Sequence, residues 1–512
     1  MTRRHRSVLT SLRANALIFT SLALSGCVMM GPTYKRPHAI VSAKFKELKP
    51  APGWTAATPH LADYPKGEWW RIYNDPVLNQ LENQVALNNQ NLKEYEAAFR
   101  KARAAVTAAR ASLYPTLAGS LSFARNSQGG TASSTSGTQY TTGSTKNTYA
   151  AQITADWDLD LWGKIRREIQ EQVAAAQISA ADVANARLSY QSELAQDYFS
   201  LRYEESLKTL LDRSASLYEH YLDIVHHQHT GGTVSGADEY QAENTLQQAR
   251  ASATATDVNR SEYEHAIAVL IGRAPGDFSL PRSGMPNVIP SVPVTVPSAL
   301  LQRRPDISAA ERQMEEYNAE VGAAIAAFFP DVSLSAAYGY SGNPVQSLIQ
   351  VSNRIWSLGA SASQTLFEGG ARTAAVQEAN ADYDNAVANY RQIVLTALQD
   401  TEDQLSSLRI LEEQGRQEQQ AVTSALKAAD ISMNEYRYGT AIYTTVITSQ
   451  QTALSNQETV LQIQESRLLA SVKLIADLGG GWDTTKLPSK GALQSDNPLV
   501  PTFLEKPDTY KP

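Results

Sequence analysis

Two clusters of titratable side chains are the first candidates for chemistry in this sequence. One cluster is a set of alternating aspartates: Asp156, Asp158 and Asp160. The other is a set of closely spaced histidines: His226, His227 and His229. The aspartates share one face of a predicted strand, where a water-facing wall explains them better than a metal site. The histidines end a predicted helix, and a solvated helix terminus explains them better than metal binding or pH sensing.

Catalytic motifs are missing from the sequence. It contains no phosphate-binding loop, no G-x-S-x-G nucleophile elbow and no pair of cysteines. The formal charge of -7 and the pI of about 5.7 provide no basic field for nucleic acid. We therefore predict that the chain is not an enzyme, holds no metal or cofactor and has no nucleic-acid partner.

The single cysteine, Cys27, indicates where the chain is delivered. It follows a basic N-terminus and an apolar core at 14–24, which is too short to span a bilayer and is typical of a secretory signal. The residues Leu24-Ser25-Gly26-Cys27 resemble the lipobox of bacterial lipoproteins. This resemblance implies a signal at 1–26 and a covalent diacylglycerol and N-acyl lipid on Cys27. Val28 follows instead of the aspartate that resembles an inner-membrane retention signal, which favours the outer membrane.

The chain contains an internal twofold repeat. Tyr114-Pro115 precedes one segment of alternating apolar and polar residues, and Phe329-Pro330 precedes a second one. Gly232-Thr233 likewise recurs as Gly439-Thr440. The repeats are predicted at 66–285 and 298–485. A lipid-anchored segment at 27–65 precedes them, a proline-rich linker at 286–297 joins them, and a tail at 486–512 follows.

Each repeat is predicted to contain two strands and one very long helix. Period-two alternation predicts strands at about 116–125, 149–161, 331–341 and 354–367, a length that suits a transmembrane β-strand. Between the first two, residues 126–148 are rich in Gly, Ser and Thr and predict a solvated loop. Four strands are too few to close a barrel, which needs about eight. Because open sheet edges cannot face lipid, strands of this kind in a membrane require oligomerisation.

The long helices are predicted from the near absence of breakers. Residues 163–229 and 371–438 contain no proline, and each would reach roughly 100 Å. The helix that follows the second one has apolar residues at heptad spacing, which favours coiled-coil packing. They are Ile447, Leu454, Leu461, Leu468 and Ile475.

These features together resemble the TolC-like outer-membrane factors, and in particular their lipidated (NodT-type) branch that serves RND-class multidrug efflux pumps. Four segments carry the resemblance: LLQRRPDISAAER at 300–312, DWDLDLWGKIRR at 156–167, SQTLFEGGAR at 363–372 and YRYGTAIYTTVITSQQ at 436–451. The resemblance covers roughly residues 30–485.

The resemblance implies an α+β membrane protein. It would be a homotrimer with a 12-stranded barrel in the outer membrane, four strands from each chain, continued by a long periplasmic α-helical barrel. A belt from residues 30–75, 273–300 and 480–512 would surround the helices. The implied partners are a periplasmic membrane-fusion adaptor, an inner-membrane RND pump and outer-membrane lipid. Small molecules would pass unchanged through the lumen.

The two periplasmic helical turns are the predicted functional loci. Gly232 and Gly439 suit helix ends, where a left-handed residue is favourable. By resemblance the tips contact the adaptor and constrict the pore. The predicted adaptor contacts are Gly232, Thr233, Asp238, Gly439 and Thr440. The constriction positions are Thr444, Thr448 and Gln451, which depart from the charged residues of many relatives and predict an uncharged constriction.

Two alternatives to an efflux duct remain open from the sequence. One is a duct of the same fold for type I protein secretion, which the lipobox and the RRPD motif at 303–306 disfavour. The other is a structural surface lipoprotein with a coiled-coil stalk, which explains the heptads but not the hairpins.

Overall fold

A computed structural model describes residues 29–47, 67–128, 133–135, 138–140, 144–286, 289–290, 292 and 297–495. Its helices of two turns or more are α1 (Pro76–Asn88), α2 (Gln90–Ala111), α3 (Lys164–Thr230), α4 (Gly236–Leu270), α5 (Pro305–Ala326), α6 (Ala371–Arg437) and α7 (Tyr443–Asp477). Its strands are β1 (Thr116–Gln128), β2 (Ser133–Thr135), β3 (Thr138–Tyr140), β4 (Ser144–Leu159), β5 (Asp331–Gly342) and β6 (Arg354–Ser363). Cys27, the signal segment and the last 17 residues of the chain, 496–512, lie outside the described residues.

The four long strands form one antiparallel sheet in the order β1-β4-β5-β6. Directly paired residues share a face, and one row across the sheet is apolar: Leu117, Ala155, Ala336 and Leu358. The adjacent row is Thr116, Asp156, Ser335 and Gly359. Leu121 is 86% exposed and Leu358 77% exposed on the apolar face. A single chain therefore leaves a continuous apolar sheet surface uncovered, which marks an interaction surface for lipid or protein.

The helices pack side by side in a fixed order. Next to the sheet, the helices pack side by side in the order α2-α3-α5-α6. Farther from the sheet the order is α4-α3-α7-α6, so α4 and α7 take the places of α2 and α5. Helices α3 and α6 each have 67 residues, so each extends for roughly 100 Å. Glycines in the left-handed conformation, Gly163 (φ 82°) and Gly370 (φ 92°), precede the two helices and allow the strand to turn into the helix.

A belt of irregular segments (residues 67–75, 275–286 and 478–493) packs across the middle of the helices. Trp69 and Tyr73 are buried there, and the Tyr73 ring lies 4.9 Å from that of Phe199 on α3. The RRPD motif explains how the second repeat joins this region. The Arg304 guanidinium lies 2.8 Å from the Asp306 carboxylate and 3.5 Å from that of Asp477 at the end of α7.

The strand boundaries differ from those predicted. Strand β6 ends at Ser363 instead of 367, because its partner β5 begins at Asp331, the residue that pairs with Ser363. The first hairpin is longer than predicted, since its ladder continues to the pair Gln128 and Ser144, and the short strands β2 and β3 pair with each other. Ser and Thr residues support pairing without alternating hydrophobicity, so the period-two pattern could not reveal this extension.

Asp160 is not part of a strand face with Asp156 and Asp158. Strand β4 ends at Leu159, and the Asp160 carboxylate accepts hydrogen bonds from the backbone N–H groups of Ile165 and Arg166, both at 3.1 Å. It also pairs with the Arg166 side chain at 2.8 Å. The carboxylate therefore satisfies the open N-terminus of α3, where negative charge is favourable.

Among the described residues, no helix combines the length and the apolarity that a membrane crossing requires.

Candidate functional site at the two helical turns

The first turn (residues 231–235) reverses the chain between α3 and α4. Gly232 has φ of 75°, and the Gly232 N–H donates to the His229 carbonyl at 2.8 Å. The Thr233 N–H donates to the Gln228 carbonyl at 2.9 Å, and the Thr233 hydroxyl donates to the same oxygen at 2.8 Å. This is a Schellman-type helix end in which threonine bonds one carbonyl twice.

The second turn (residues 438–442) repeats this geometry between α6 and α7. Gly439 has φ of 74°, and the Gly439 N–H donates to the Tyr436 carbonyl at 2.9 Å. The Thr440 N–H and the Thr440 hydroxyl both donate to the Glu435 carbonyl at 2.9 Å. The Gly-Thr pair seen in the sequence is therefore one structural device used twice.

An apolar cluster joins the two turns. This tip cluster comprises Val225, Ala242, Met433, Tyr436, Tyr443, Val446 and Ile447. The rings of Tyr436 and Tyr443 lie 5.2 Å apart, and Tyr443 is 3% exposed. Both repeats contribute to the cluster, so the two turns are packed as one unit and not as separate connectors.

Asp238 lies on the α4 side of this unit. Its backbone N–H donates to the Ser235 hydroxyl at 3.4 Å, which places Ser235 as the N-cap of α4. Burial raises the pKa of Tyr436 and Tyr443, and the negative charge of Asp238 raises the pKa of both further. Asp238 therefore lies close enough to the second turn to affect its tyrosines.

The histidines at the end of α3 are engaged with α4. The His226 Nδ1 lies 2.7 Å from Glu239 Oε1, and the His229 Nε2 lies 3.8 Å from Glu239 Oε2. These contacts connect the two helices across the first turn, and His226, His227 and His229 are all exposed, as predicted for a solvated helix end. No group of three or more His, Cys, Asp or Glu side chains suited to a metal ion occurs in the part of the chain that the structure describes.

The predicted constriction residues share an exposed face of α7. Thr444, Thr448 and Gln451 are all exposed in the single chain. The Thr448 hydroxyl donates to the Thr444 carbonyl at 2.9 Å, and the Thr452 hydroxyl donates to the Thr448 carbonyl at 2.8 Å. Because these hydroxyl protons bond within the helix, the face presents oxygen lone pairs and no formal charge.

The residues just after Cys27 lie at the junction of the sheet and the long helices. The Met30 N–H donates to the Trp162 carbonyl at 3.0 Å, and the Arg167 side chain donates to the Met30 carbonyl at 2.9 Å. Met29 packs against Gly163 at the start of α3. Met29 and Met30 are therefore the first described residues after the predicted lipidation site, and they contact the start of α3.

The fold and the twin turns define a class, the TolC-like outer-membrane channels, which are trimers with a β-barrel and a long helical barrel. The chain belongs to the outer membrane efflux protein family, whose model matches residues 81–273 and 296–480. It is therefore an outer-membrane channel subunit of an efflux pump.

Two sequence relatives and one solved structure match this chain over most of its length. The probable efflux pump outer membrane protein TtgC of Pseudomonas putida is 27% identical over 479 residues, covering 91% of this chain and 95% of TtgC. The probable outer membrane lipoprotein SilC of Salmonella typhimurium is 26% identical over 470 residues, covering 91% and 98%. The outer-membrane channel OprN superposes with a TM-score of 0.80 at 27% identity, covering 89% of this chain and 99% of OprN.

Sequence inspection missed the residues that hold the site together. Tyr436 and Tyr443 lie in the motif at 436–451, but the contact between repeats depends on packing that a linear pattern does not reveal. Glu239 carried a weak signal, since it lies in the first turn of a helix that begins close to the histidine run.

Proposed function

We propose that three copies of this chain form a passive duct with a lipid anchor at Cys27, an adaptor-binding tip and an uncharged constriction at the turns. Small molecules would enter from an inner-membrane pump of the RND class through a periplasmic membrane-fusion adaptor. They would leave through the barrel without chemical change. The observation that supports a duct most directly is the four-stranded sheet, which has two free edges and an exposed apolar face.

The free edges are the physical reason for a closed assembly. Strands β1 and β6 are the sheet edges among the described residues, and each has one side of its backbone N–H and C=O groups unpaired. In lipid each unpaired group costs several kcal/mol. Pairing β6 of one copy with β1 of the next removes every edge when three copies close a ring of twelve strands.

The adaptor contact is proposed at the two turns because they form the end of the helical region farthest from the sheet. Gly232, Thr233 and Gly439 are exposed there, and the bonds described above hold their backbones in place. A preformed surface loses little conformational entropy on binding, which favours recognition by a partner.

The constriction is proposed on the face of α7 formed by Thr444, Thr448 and Gln451. In a trimer three such faces would meet, and hydroxyl and amide groups would close the pore through hydrogen bonds and close packing. Such contacts are weaker than buried ion pairs, so this constriction opens without separating charges.

The lipid on Cys27 is proposed as an auxiliary anchor. The contacts of Met29 and Met30 keep this end of the chain beside the sheet–helix junction, and a lipid on Cys27 would enter the membrane close to the proposed barrel. Barrel closure does not need the lipid. A Cys27→Ser chain secreted with a cleavable non-lipid signal should still give trimers, and complete loss of trimer would contradict this auxiliary role.

Trimer formation and conductance test the duct. The full-length protein, purified from outer membranes, should migrate as a heat-modifiable trimer on a semi-native gel and give discrete conductance steps in a planar bilayer. A structural lipoprotein with a coiled-coil stalk would give no membrane-embedded trimer and no steps. A duct for type I protein secretion would instead support export of a protein substrate by its cognate pump.

The uncharged constriction has its own test. Thr448→Ala should raise the closed-state conductance, because it removes one hydroxyl from each of three facing helices. Thr423→Ala is a matched control, since Thr423 makes the same kind of hydroxyl bond to a carbonyl, that of Gln419 at 2.9 Å, far from the turns. An unchanged closed-state conductance in Thr448→Ala would count against the gating role.

A further inference from the structure

A recess of about 780 Å³ lies between α3, α4 and α7. Its lining includes Tyr203 and Glu204 from α3, Val258 and Asn259 from α4, and Glu458 from α7. The recess is separate from the turns, since it lies close to the level of the belt on all three helices. None of its described lining residues is a lysine, arginine or histidine.

The recess opens on the side of α3 opposite the belt. Arg202 donates to the Pro281 carbonyl at 2.8 Å, and the Ser206 hydroxyl accepts from the Met285 N–H at 2.9 Å, so these positions face the belt. With 3.6 residues per turn, Glu204 is rotated by about 160–200° from both.

The residues of α7 also place the recess on the side opposite the belt. The Gln464 side chain donates to the Pro286 carbonyl at 2.6 Å and therefore faces the outer segments. Ser455 and Gln462 line the recess and are rotated by about 160–180° from Gln464. In the proposed trimer the belt surrounds the helical barrel from outside, so the recess, on the opposite side of the helices, faces the lumen.

One carboxylate oxygen in this recess lacks a hydrogen-bond partner among the described residues. Glu204 is 6% exposed, and its Oε1 accepts a hydrogen bond from Asn259 Nδ2 at 2.9 Å. Its Oε2 is buried and has no hydrogen-bond partner among the described residues. A buried carboxylate oxygen without a partner is costly unless a cation or donor reaches it.

A second carboxylate and an apolar wall complete the recess. Glu458 is half-buried, and burial raises its pKa and that of Glu204. Leu207, Leu211 and Val258 supply aliphatic surface, and Tyr203 supplies an aromatic ring. Negative charge beside apolar surface is the chemistry that complements an organic cation with an apolar body.

We propose that this recess is a luminal binding site for amphiphilic organic cations, held by the Glu204 and Glu458 carboxylates and the adjacent apolar wall. The inference rests on the proposed duct, because it requires cargo in the lumen. A bound cation stabilises the ionised carboxylates, so affinity should rise with pH as these groups lose their protons.

Equilibrium binding of tetraphenylphosphonium to the purified full-length trimer in nanodiscs tests the proposal. Glu204→Gln keeps the shape and the acceptor for Asn259 but removes the charge, so the affinity should fall about tenfold. Glu204→Gln combined with Glu458→Gln should weaken it further. Glu243→Gln is the matched control, since Glu243 is an exposed carboxylate of α4 outside the recess and its loss should leave the affinity unchanged.

Three results would contradict the cation site. Equal affinity of wild type and the double variant, or no saturable binding to wild type, would overturn the cation site. Triphenylphosphine oxide, a neutral probe of similar shape, should bind weakly and without dependence on Glu204; binding equal to that of the cation would also overturn it. Conductance steps from the same preparations report on the duct itself, so a failed binding experiment with intact conductance contradicts the recess alone.

Discussion

The two helical turns have the same backbone geometry but are held by different side chains. In both, a glycine with φ near 75° is followed by a threonine that bonds one carbonyl through its N–H and its hydroxyl. The first turn adds the contacts of His226 and His229 with Glu239 and an N-cap at Ser235. The second has Ile442 as its N-cap, with no side-chain cap bond, and depends on buried Tyr443.

This difference separates two tasks. The Gly-Thr pair sets how the chain reverses, which both repeats need equally. The surrounding side chains set how firmly each turn is held. The first turn contributes only the small side chains of Val225 and Ala242 to the tip cluster, and its further contacts are exposed and polar, which contribute little free energy. The second is tied by buried aromatic packing, which contributes more. We therefore expect the second turn to control the stability of the tip.

The largest effect is expected from Tyr443→Ala. Removing this buried ring from the tip cluster should lower the free energy of local opening by about 3–5 kcal/mol. Amide hydrogen exchange in the first turns of α7 measures this opening. Tyr438→Ala is the control, because Tyr438 is 85% exposed in the same turn and should change the free energy by less than about 0.5 kcal/mol. Equal effects of the two variants would show that burial does not hold the second turn.

Equal effects are expected at the two glycines. Gly232→Ala and Gly439→Ala should each cost roughly 1–2 kcal/mol, because an alanine is strained at positive φ. Gly231→Ala is the control, since Gly231 has φ of -76° and accepts a side chain without strain. Hydrogen exchange at both turns gives the comparison. A cost at only one glycine would contradict the shared backbone geometry.

A smaller and again equal loss is expected at the threonines. Thr233→Val and Thr440→Val remove only the hydroxyl bond to the Gln228 or Glu435 carbonyl, which should cost about 0.5–1.5 kcal/mol in local opening. Serine at either position keeps a hydroxyl and should recover most of the loss. Serine variants that behave like valine would show that the hydroxyl bond is not what matters.

The smallest effect, and one confined to the first turn, is expected from Glu239→Gln. The contact with His226 is exposed, so its loss should cost less than about 1 kcal/mol. The difference from wild type in hydrogen exchange at the first turn should shrink in high salt, because ions screen an exposed contact. A large, salt-independent loss would mean that this contact is part of the folded tip and not a surface link.

The sequence was informative where local chemistry decides the structure. Absence of proline predicted both long helices to within one or two residues of Lys164–Thr230 and Ala371–Arg437. Period-two alternation located all four long strands, but it could not mark where they end, because strand ends depend on local hydrogen bonds such as those of Asp160. The family, the fold class and the outer-membrane location were predicted correctly from the combined motifs.

The sequence did not reveal contacts between distant segments. Tyr436 and Tyr443 pack against residues of α3 and α4 in the tip cluster. The recess around Glu204 is likewise formed where helices pack together. Each involves residues from the two repeats that lie about two hundred positions apart. A helical pattern gives the face on which a residue lies, but not which helix covers that face.

Single-channel conductance of wild type and Tyr443→Ala in planar bilayers tests the central claim most directly. A trimeric duct closed at its helical turns predicts small discrete steps for wild type, clearly larger steps for Tyr443→Ala and wild-type steps for the exposed control Tyr438→Ala. Steps of the same size for wild type and Tyr443→Ala would place the constriction elsewhere, and the absence of steps in all three proteins would contradict the duct.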